Sequence, residues 1–129
     1  MVDLIQKEIT AQIIASAFEV GNILGAGFLE KLYENALKVE LELRNLKVET
    51  QQQIIVSYKG KDIGLYKTDL VVDGKVIVEI KCVESIARVH RAQIINYLKA
   101  TGLEVGLIIN FGGFKVGFER IVLQHKNDN

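Results

Sequence analysis

The chain has 129 residues, of which 49% are hydrophobic and 25% are charged, a composition typical of one globular domain with its own core. The 16 basic and 16 acidic side chains give a formal net charge of zero, which argues against a protein that coats nucleic acid non-specifically. The single cysteine, Cys82, excludes an internal disulfide and a multi-cysteine metal site.

The N-terminal ten residues, MVDLIQKEIT, place acids among apolar residues and lack the basic start of a secretory signal. Apolar runs such as GLIIN are far too short to span a bilayer. Together with the lone cysteine, these features predict a soluble cytoplasmic protein without a membrane partner.

Two helices are predicted first. Apolar residues at helical spacing indicate a helix over residues 3–21, which the glycine-rich segment GNILGAG ends. A second helix is expected from Leu29 to Arg44, with Asn45 at its C-terminal end. Its predicted apolar stripe consists of Leu29, Leu32, Tyr33, Ala36, Leu37 and Leu41 or Leu43.

Strand-like segments follow at 53–58, 62–72 and 75–83, and Lys59-Gly60 and Asp73-Gly74 are turn signals that join them as an antiparallel meander. A third helix is predicted from Ile86 to Thr101, with Ser85 as its cap and Gly102 as its stop. The nearly all-apolar segment 104–111 indicates a strand buried on both faces, and 115–123 indicates a final strand.

The resulting order, α-α-β-β-β-α-β-β, predicts an α/β fold in which a mixed β-sheet is flanked by helices. We expect a single domain over residues 1–124, followed by a polar C-terminal tail at 125–129.

An acid and a base interrupt the third predicted strand. Glu79 and Lys81 lie two apart, so their side chains point to one face together with Ile77. For this pair alone, a half-exposed strand with a solvated polar side is the simpler interpretation. Asp69 on the preceding strand joins them only if the hairpin register places it on the same face.

The loop at Asp73-Gly74 decides that register. A two-residue loop would pair Asp69 with Val78 and separate the two carboxylates. A three-residue loop, 72–74, would pair Asp69 with Ile77 and place Glu79 diagonally on the same face. A functional site needs the second register or an equivalent bulge, and the sequence permits both registers.

Two carboxylates beside a lysine have the composition of a site for phosphodiester hydrolysis. Asp69, Glu79 and the backbone carbonyl of Ile80 would supply oxygen ligands to Mg²⁺ or Mn²⁺. The cation would acidify a water and polarise the diester, and Lys81 would orient that water or offset charge on the phosphate. An ion-pair network on the sheet face is the alternative.

The second helix offers further groups at its start. Glu30 and Tyr33 share one helical face, so Glu30 is a candidate additional carboxylate at the metal and Tyr33 a candidate supporting residue. In the alternative interpretation, Glu30 only favours the helix N-terminus and Tyr33 packs in the core.

The third helix carries a narrow polar stripe of His90, Gln93 and Tyr97, which suggests the edge of a cleft. Gln93 and Tyr97 are candidates to hold Lys81 or a phosphate, whereas His90 is weighed against an ordinary surface histidine. Three basic residues of this helix are candidate contacts to a nucleic-acid backbone or simply a solvated face: Arg88, Arg91 and Lys99.

The segment Gly27–Tyr33, GFLEKLY, resembles the signature of the GxxExxY proteins, a prokaryotic family of the PD-(D/E)XK nuclease-like superfamily. The resemblance continues through residues 66–83, 90–102 and 106–112, and spans Gly25 to Arg120. It implies a restriction-endonuclease-like core and a metal-dependent nuclease site.

Matched position by position, the chain has a helical acid, the acid of the "PD" element, the acid and lysine of the "(D/E)XK" element and a helical Q-x-x-x-Y pair. These are Glu30, Asp69, Glu79, Lys81, Gln93 and Tyr97. Thr68 stands where the superfamily name has proline, which is often absent.

The first hypothesis is therefore a Mg²⁺-dependent nuclease acting on DNA, or on RNA. The second is a non-catalytic nucleic-acid-binding or repair-accessory module, because the superfamily also contains members that bind without cutting. The third is a homodimeric interaction protein joined through an exposed final strand with Phe114 and Phe118, whose alternative role is core packing.

Overall fold

A computed structural model describes residues 5–125 and begins with two helices. Helix α1 covers Lys7–Leu24 and α2 covers Glu30–Leu43. The sequence predicted that this helix ends at Gly21, but α1 continues to Leu24 and ends before Gly25. Gly21 lies inside the helix, where its lack of a side chain leaves room for Val116. Residues 3 and 4 of the predicted helix lie outside the described residues.

Helix α2 confirms its predicted range to within one residue, and Asn45 follows it with a left-handed φ of 64°. The predicted apolar stripe is wrong at Leu29, Leu32 and Leu43, which are 79%, 50% and 73% exposed. The buried row instead contains an acid and consists of Tyr33, Glu34, Leu37 and Leu41.

Within residues 5–125, seven strands form two sheets. They are β1 Val48–Thr50, β2 Gln53–Tyr58, β3 Lys61–Lys67, β4 Leu70–Val72, β5 Val76–Lys81, β6 Val105–Asn110 and β7 Gly117–Val122. Strands β1-β4-β5-β6-β7 form a sheet in which only the β5–β6 pair is parallel, and β2 and β3 form an antiparallel hairpin. The predicted mixed sheet with flanking helices is confirmed.

The predicted three-stranded meander is wrong. Segment 62–72 is two strands, because the chain leaves the hairpin at Thr68 and enters the larger sheet at Leu70. The edge of β4 that β3 would occupy is taken by β1, which the sequence reading missed. A three-residue strand leaves too short a pattern of alternation to be recognised.

Helix α3, Arg88–Thr101, connects β5 to its parallel neighbour β6. Ser85 is not its cap: the helix starts after Ala87, whose N–H donates to Nδ1 of His90 at 2.9 Å. At the other end Gly102 is the predicted stop, with a φ of 76° and an N–H that donates to the Leu98 carbonyl.

Hydrophobic cores lie on both faces of the five-stranded sheet. Helices α1 and α2 cover the face that contains Val78 and Ile80, whereas α3 and the hairpin cover the face that contains Val71 and Ile77. By strand alternation, Glu79 and Lys81 share the α3 face, as predicted. Strand β6 is buried throughout, which confirms the prediction that this strand is covered on both faces.

The chain end and the last strand complete the description. His125 Nε2 lies 2.9 Å from the Leu103 carbonyl oxygen, and the rest of the predicted tail, 126–129, lies outside the described residues. Phe118 on β7 meets Phe18 edge to face, while Phe114 in the preceding turn is fully exposed. Among residues 5–125, no helix combines the length and apolarity needed to cross a membrane.

Candidate active site

The β4–β5 hairpin brings the two predicted metal-binding acids together. Its ladder pairs Leu70 with Val78 and Val72 with Val76, and one further step places Asp69 opposite Glu79. The loop is therefore 73–75, and both registers considered from the sequence are wrong. The carboxylates nonetheless lie on one face, as a functional site requires.

The register of the β4–β5 hairpin is stabilised by contacts between Asp73 in its loop and Lys47, which is distant in the sequence. Asp73 and Gly74 both have left-handed φ angles, 53° and 64°. The Asp73 carboxylate accepts the N–H of Lys47 at 2.8 Å, and the Asp73 N–H donates to the Lys47 carbonyl at 2.8 Å. The entry to β1 thus fixes the loop conformation, which the loop sequence alone did not reveal.

Asp69 and Glu79 are linked through backbone amides. The Asp69 carboxylate accepts the N–H of Ile80 at 2.8 Å, and Glu79 Oε1 lies 3.4 Å from the N–H of Asp69. Glu79 is only 5% exposed. The interpretation of a solvated polar strand face is therefore wrong for Glu79.

Burial and mutual repulsion make both acids hard to ionise. Burial raises the pKa of Asp69 to about 6, with further increases from Glu34 and Glu30, while the Ile80 amide opposes the rise. Burial, followed by the nearby charge of Asp69, raises the pKa of Glu79 to about 8, and Lys81 opposes that rise. A cation beside this pair would relieve the repulsion and favour the ionised forms.

Helix α2 contributes a residue that the sequence reading missed. Glu34 is 4% exposed, and its Oε2 lies 2.6 Å from Lys31 Nζ and 3.5 Å from Gln51 Nε2. Its charge and that of Glu30 both raise the pKa of Asp69, so both helical acids act on that member of the pair. The signal was present: Glu34 stands three residues before Leu37, inside the buried row of the helix.

Tyr33 belongs to the core and holds the loop before α2. Its hydroxyl donates to the Gly25 carbonyl at 2.6 Å and accepts the N–H of Phe28 at 3.2 Å. Its ring stacks on Phe111 at a centroid distance of 4.6 Å. Tyr33 thus fixes the chain that leads into Glu30, the first residue of α2.

Lys81 is held by a relay of hydrogen bonds that crosses to α3 and the hairpin. Lys81 Nζ donates to Gln93 Oε1 at 3.3 Å, and Gln93 Nε2 donates to the Tyr66 hydroxyl at 3.2 Å. Tyr66 meets Tyr97 edge to face at 4.8 Å. Burial raises the pKa of Tyr97 first, and the charge of Glu79 adds to it, so Tyr97 also borders the site.

The other predicted α3 residues lie in different settings. His90 accepts the Ala87 amide at the helix start and is thereby a capping residue. The Arg91 guanidinium makes a two-point ion pair with Glu119 at 2.6 and 3.0 Å, so a phosphate would have to compete with that carboxylate. Arg88 and Lys99 are exposed and have no ion-pair partner among residues 5–125.

The donor set fits a hard divalent cation. Within residues 5–125, no three acidic, histidine or cysteine side chains form a ready-made metal cluster. Mg²⁺ does not require one, because it keeps several waters and takes one or two carboxylates together with substrate phosphates. The pair Asp69 and Glu79, whose pKa values are raised first by burial and then by neighbouring acids, could provide those carboxylates.

The mixed five-stranded sheet with flanking helices is a fold of the restriction-endonuclease type, and its β5 carries an acid and a lysine two residues apart with a second acid opposite. A family model described as "PD-(D/E)XK nuclease superfamily" matches residues 7–121. The chain therefore belongs to the PD-(D/E)XK nuclease superfamily.

One solved structure, titled "Crystal structure of SSO0001", is similar with a TM-score of 0.57 and 19% sequence identity. The match covers 94% of this chain but only 61% of that one, and at this low identity the likeness concerns the fold alone. No curated protein matches the chain.

Proposed function

We propose that this protein is a Mg²⁺- or Mn²⁺-dependent nuclease that hydrolyses phosphodiester bonds of DNA, and that within its superfamily it is a GxxExxY protein. The observation that carries the proposal is the meeting of Asp69 and Glu79 across the β4–β5 pair, with Lys81 on the same face. Superfamily membership and the resemblance of Gly27–Tyr33 to the GxxExxY signature support it.

Each residue has a role that follows from its position. Asp69, Glu79 and the Ile80 carbonyl would hold the cation, and Glu30 and Glu34 would add negative charge around it. When bound, the cation would lower the pKa of a water and polarise the phosphate. Lys81 would donate hydrogen bonds to the attacking water or to a phosphate oxygen, and Gln93 would fix the direction of its ammonium group.

The test is cleavage of single-stranded, duplex and branched DNA and of RNA, with Mg²⁺ or Mn²⁺ and with EDTA. We expect metal-dependent cleavage that Glu79→Gln or Lys81→Met lowers by at least about 100-fold. Glu84→Gln and Lys75→Met, at exposed positions outside the site, are the matched controls and should retain activity. Absence of metal-dependent cleavage from every substrate would contradict the nuclease proposal.

The same protein also tests the non-catalytic alternative of a binding or repair-accessory module. Calorimetry with Mn²⁺ should show binding that Asp69→Asn and Glu79→Gln weaken. Nucleic-acid binding without any metal binding dependent on Asp69 and Glu79 would favour the accessory module over the nuclease.

We further propose that the protein works in the cytoplasm as a homodimer. The partly buried free thiol of Cys82 is typical of a reducing compartment. Strand β7 is an edge of the five-stranded sheet, and the fully exposed Phe114 lies in the turn that precedes it. Light scattering should give the mass of a dimer, and Phe114→Ser should weaken it; a monomer at all concentrations would contradict this proposal.

A further inference from the structure

A groove of about 480 Å³ runs between the β2–β3 hairpin and helix α3. Its volume lies within the range of about 300–1,000 Å³ that is usual for small-molecule sites. It adjoins the candidate active site through Gln93, which lines the groove and accepts a hydrogen bond from Lys81. A ligand in the groove would therefore lie one side chain away from Lys81.

The lining combines the features that bind one nucleotide. Ile54 provides an apolar wall, and Tyr66, 40% exposed, offers part of an aromatic surface to a base. Asn96 provides an amide that can donate to and accept from a base edge. Farther along α3, Lys99 places an ammonium group where an adjoining phosphate would lie.

Two polar groups of the groove have no protein partner. Among residues 5–125, neither the Asn96 amide nor the Lys99 ammonium makes a side-chain hydrogen bond or an ion pair, and both residues are exposed. A second groove on the other side of Ile54 and Ile55 has no aromatic or charged residue in its lining, so it lacks this combination.

We propose that the groove binds one unpaired nucleotide next to the scissile phosphate, so that the substrate is a single strand or an unpaired segment of nucleic acid. The inference rests on the proposed nuclease function. A paired base has its Watson–Crick edge occupied and both faces stacked, and could not present them to Asn96 and Tyr66. One lysine beside an apolar wall also agrees with the zero net charge of the chain, since only local phosphate contact is required.

The test is fluorescence anisotropy in EDTA, where metal-dependent cleavage does not occur, with oligonucleotides of about ten nucleotides as single-stranded DNA, single-stranded RNA and blunt duplex. We expect single strands to bind at least about tenfold more tightly than the duplex. Asn96→Trp fills the groove and should lower single-strand affinity about tenfold, whereas Asn22→Trp on the exposed surface of α1 should not.

Salt dependence gives an independent readout. Lys99→Gln should reduce the slope of log affinity against log salt by about 0.7, the value for one phosphate contact on a single strand, and the exposed control Lys75→Gln should leave it unchanged. Equal or tighter binding of the duplex, or equal affinities for Asn96→Trp and Asn22→Trp, would overturn the groove proposal.

The two proposals fail in different ways. If single strands bind in EDTA with the expected variant effects but Mg²⁺ and Mn²⁺ produce no cleavage, the nuclease function is wrong and the groove assignment stands. If cleavage occurs equally on single strands and duplex and Asn96→Trp does not change it, the groove assignment is wrong and the nuclease function stands. The DNA and RNA arms separate the two sources of an unpaired nucleotide.

Discussion

Asp69 lies opposite Glu79 across the β4–β5 pair, and its carboxylate accepts the amide of Ile80, the residue that follows Glu79. This contact fixes the Asp69 carboxylate against the backbone of β5, where the charges of Glu34 and Glu30 also act on it. The result is an acidic pair with raised pKa values, in which Glu79 is buried and Asp69 half-buried, next to a lysine held by Gln93.

Stability without metal should fall as the pH rises. The pKa of Glu79 is raised from 4.5 to about 8 and that of Asp69 from 3.8 to about 6, so the folded protein retains protons that the unfolded chain releases. The contribution of these two protons to the free energy of unfolding is fully present below the pKa values of the unfolded chain. It is lost as the pH rises through the pKa values of the folded protein. Melting temperatures measured in EDTA across this range should therefore decline toward pH 8.

Two controls define this prediction. Glu79→Gln cannot ionise and should flatten the decline, and Mn²⁺ should raise the melting temperature of the wild type most at the alkaline end, where it binds carboxylates without displacing protons. A melting temperature that rises with pH in EDTA, or a decline that Glu79→Gln leaves unchanged, would show that the buried pair does not govern stability.

Much of the site was predictable from local pattern. Alternation along β5 placed Glu79 and Lys81 on one face, and helical spacing placed Gln93 and Tyr97 together on α3. These relations depend only on the geometry of one element. The same holds for the extent of α2 and for the stop at Gly102.

What could not be predicted depends on contacts between distant parts of the chain. The hairpin register follows from the pairing of Asp73 with Lys47, and Tyr66 reaches Gln93 from a separate hairpin that the sequence had joined to β4 as one strand. Glu34 was overlooked for another reason. The helical spacing places Glu34 in the buried row of α2. The sequence does not show that this row brings Glu34 close enough to Asp69 to raise its pKa, because that depends on how α2 packs on the sheet.

Gln93 is expected to act as a positioning residue for Lys81. Gln93→Ala removes the acceptor of the Lys81 ammonium and should lower kcat by about 10–100-fold, the usual effect of losing a residue that orients a functional group. Gln93→Glu retains an oxygen acceptor and should recover much of the rate. Gln124→Ala, at an exposed position just after β7, is the control. No recovery in Gln93→Glu, or unchanged kcat in Gln93→Ala, would contradict the role.

Glu34 is expected to raise the pKa of Asp69 and to strengthen metal binding. Glu34→Gln removes a negative charge that raises the pKa of Asp69, so that pKa should fall, and Mn²⁺ affinity should drop by about tenfold because the site loses negative charge. The measurements are the Asp69 carboxyl titration by NMR and calorimetry with Mn²⁺. Glu42→Gln, exposed on the same helix, should change neither quantity. A higher Asp69 pKa in Glu34→Gln would refute the assignment.

Tyr33 is expected to matter for stability through its hydroxyl. Tyr33→Phe keeps the stacking on Phe111 but leaves the Gly25 carbonyl and the Phe28 amide without their partner. The loss should cost about 1–3 kcal/mol in the free energy of unfolding, measured with urea. Tyr58→Phe, at an exposed hairpin position, should cost nothing measurable. Equal stabilities of the two variants would show that the hydroxyl does not hold the loop.

The most direct test of the whole account is the anomalous diffraction of Mn²⁺ in crystals of the protein. We expect a peak with oxygen ligands from Asp69, Glu79 and the Ile80 carbonyl at about 2.0–2.6 Å, the distances of hard-cation ligands, and its loss in Glu79→Gln. A Mn²⁺ peak elsewhere, or none at this pair at saturating metal, would contradict the claim that these residues form the metal centre of a nuclease.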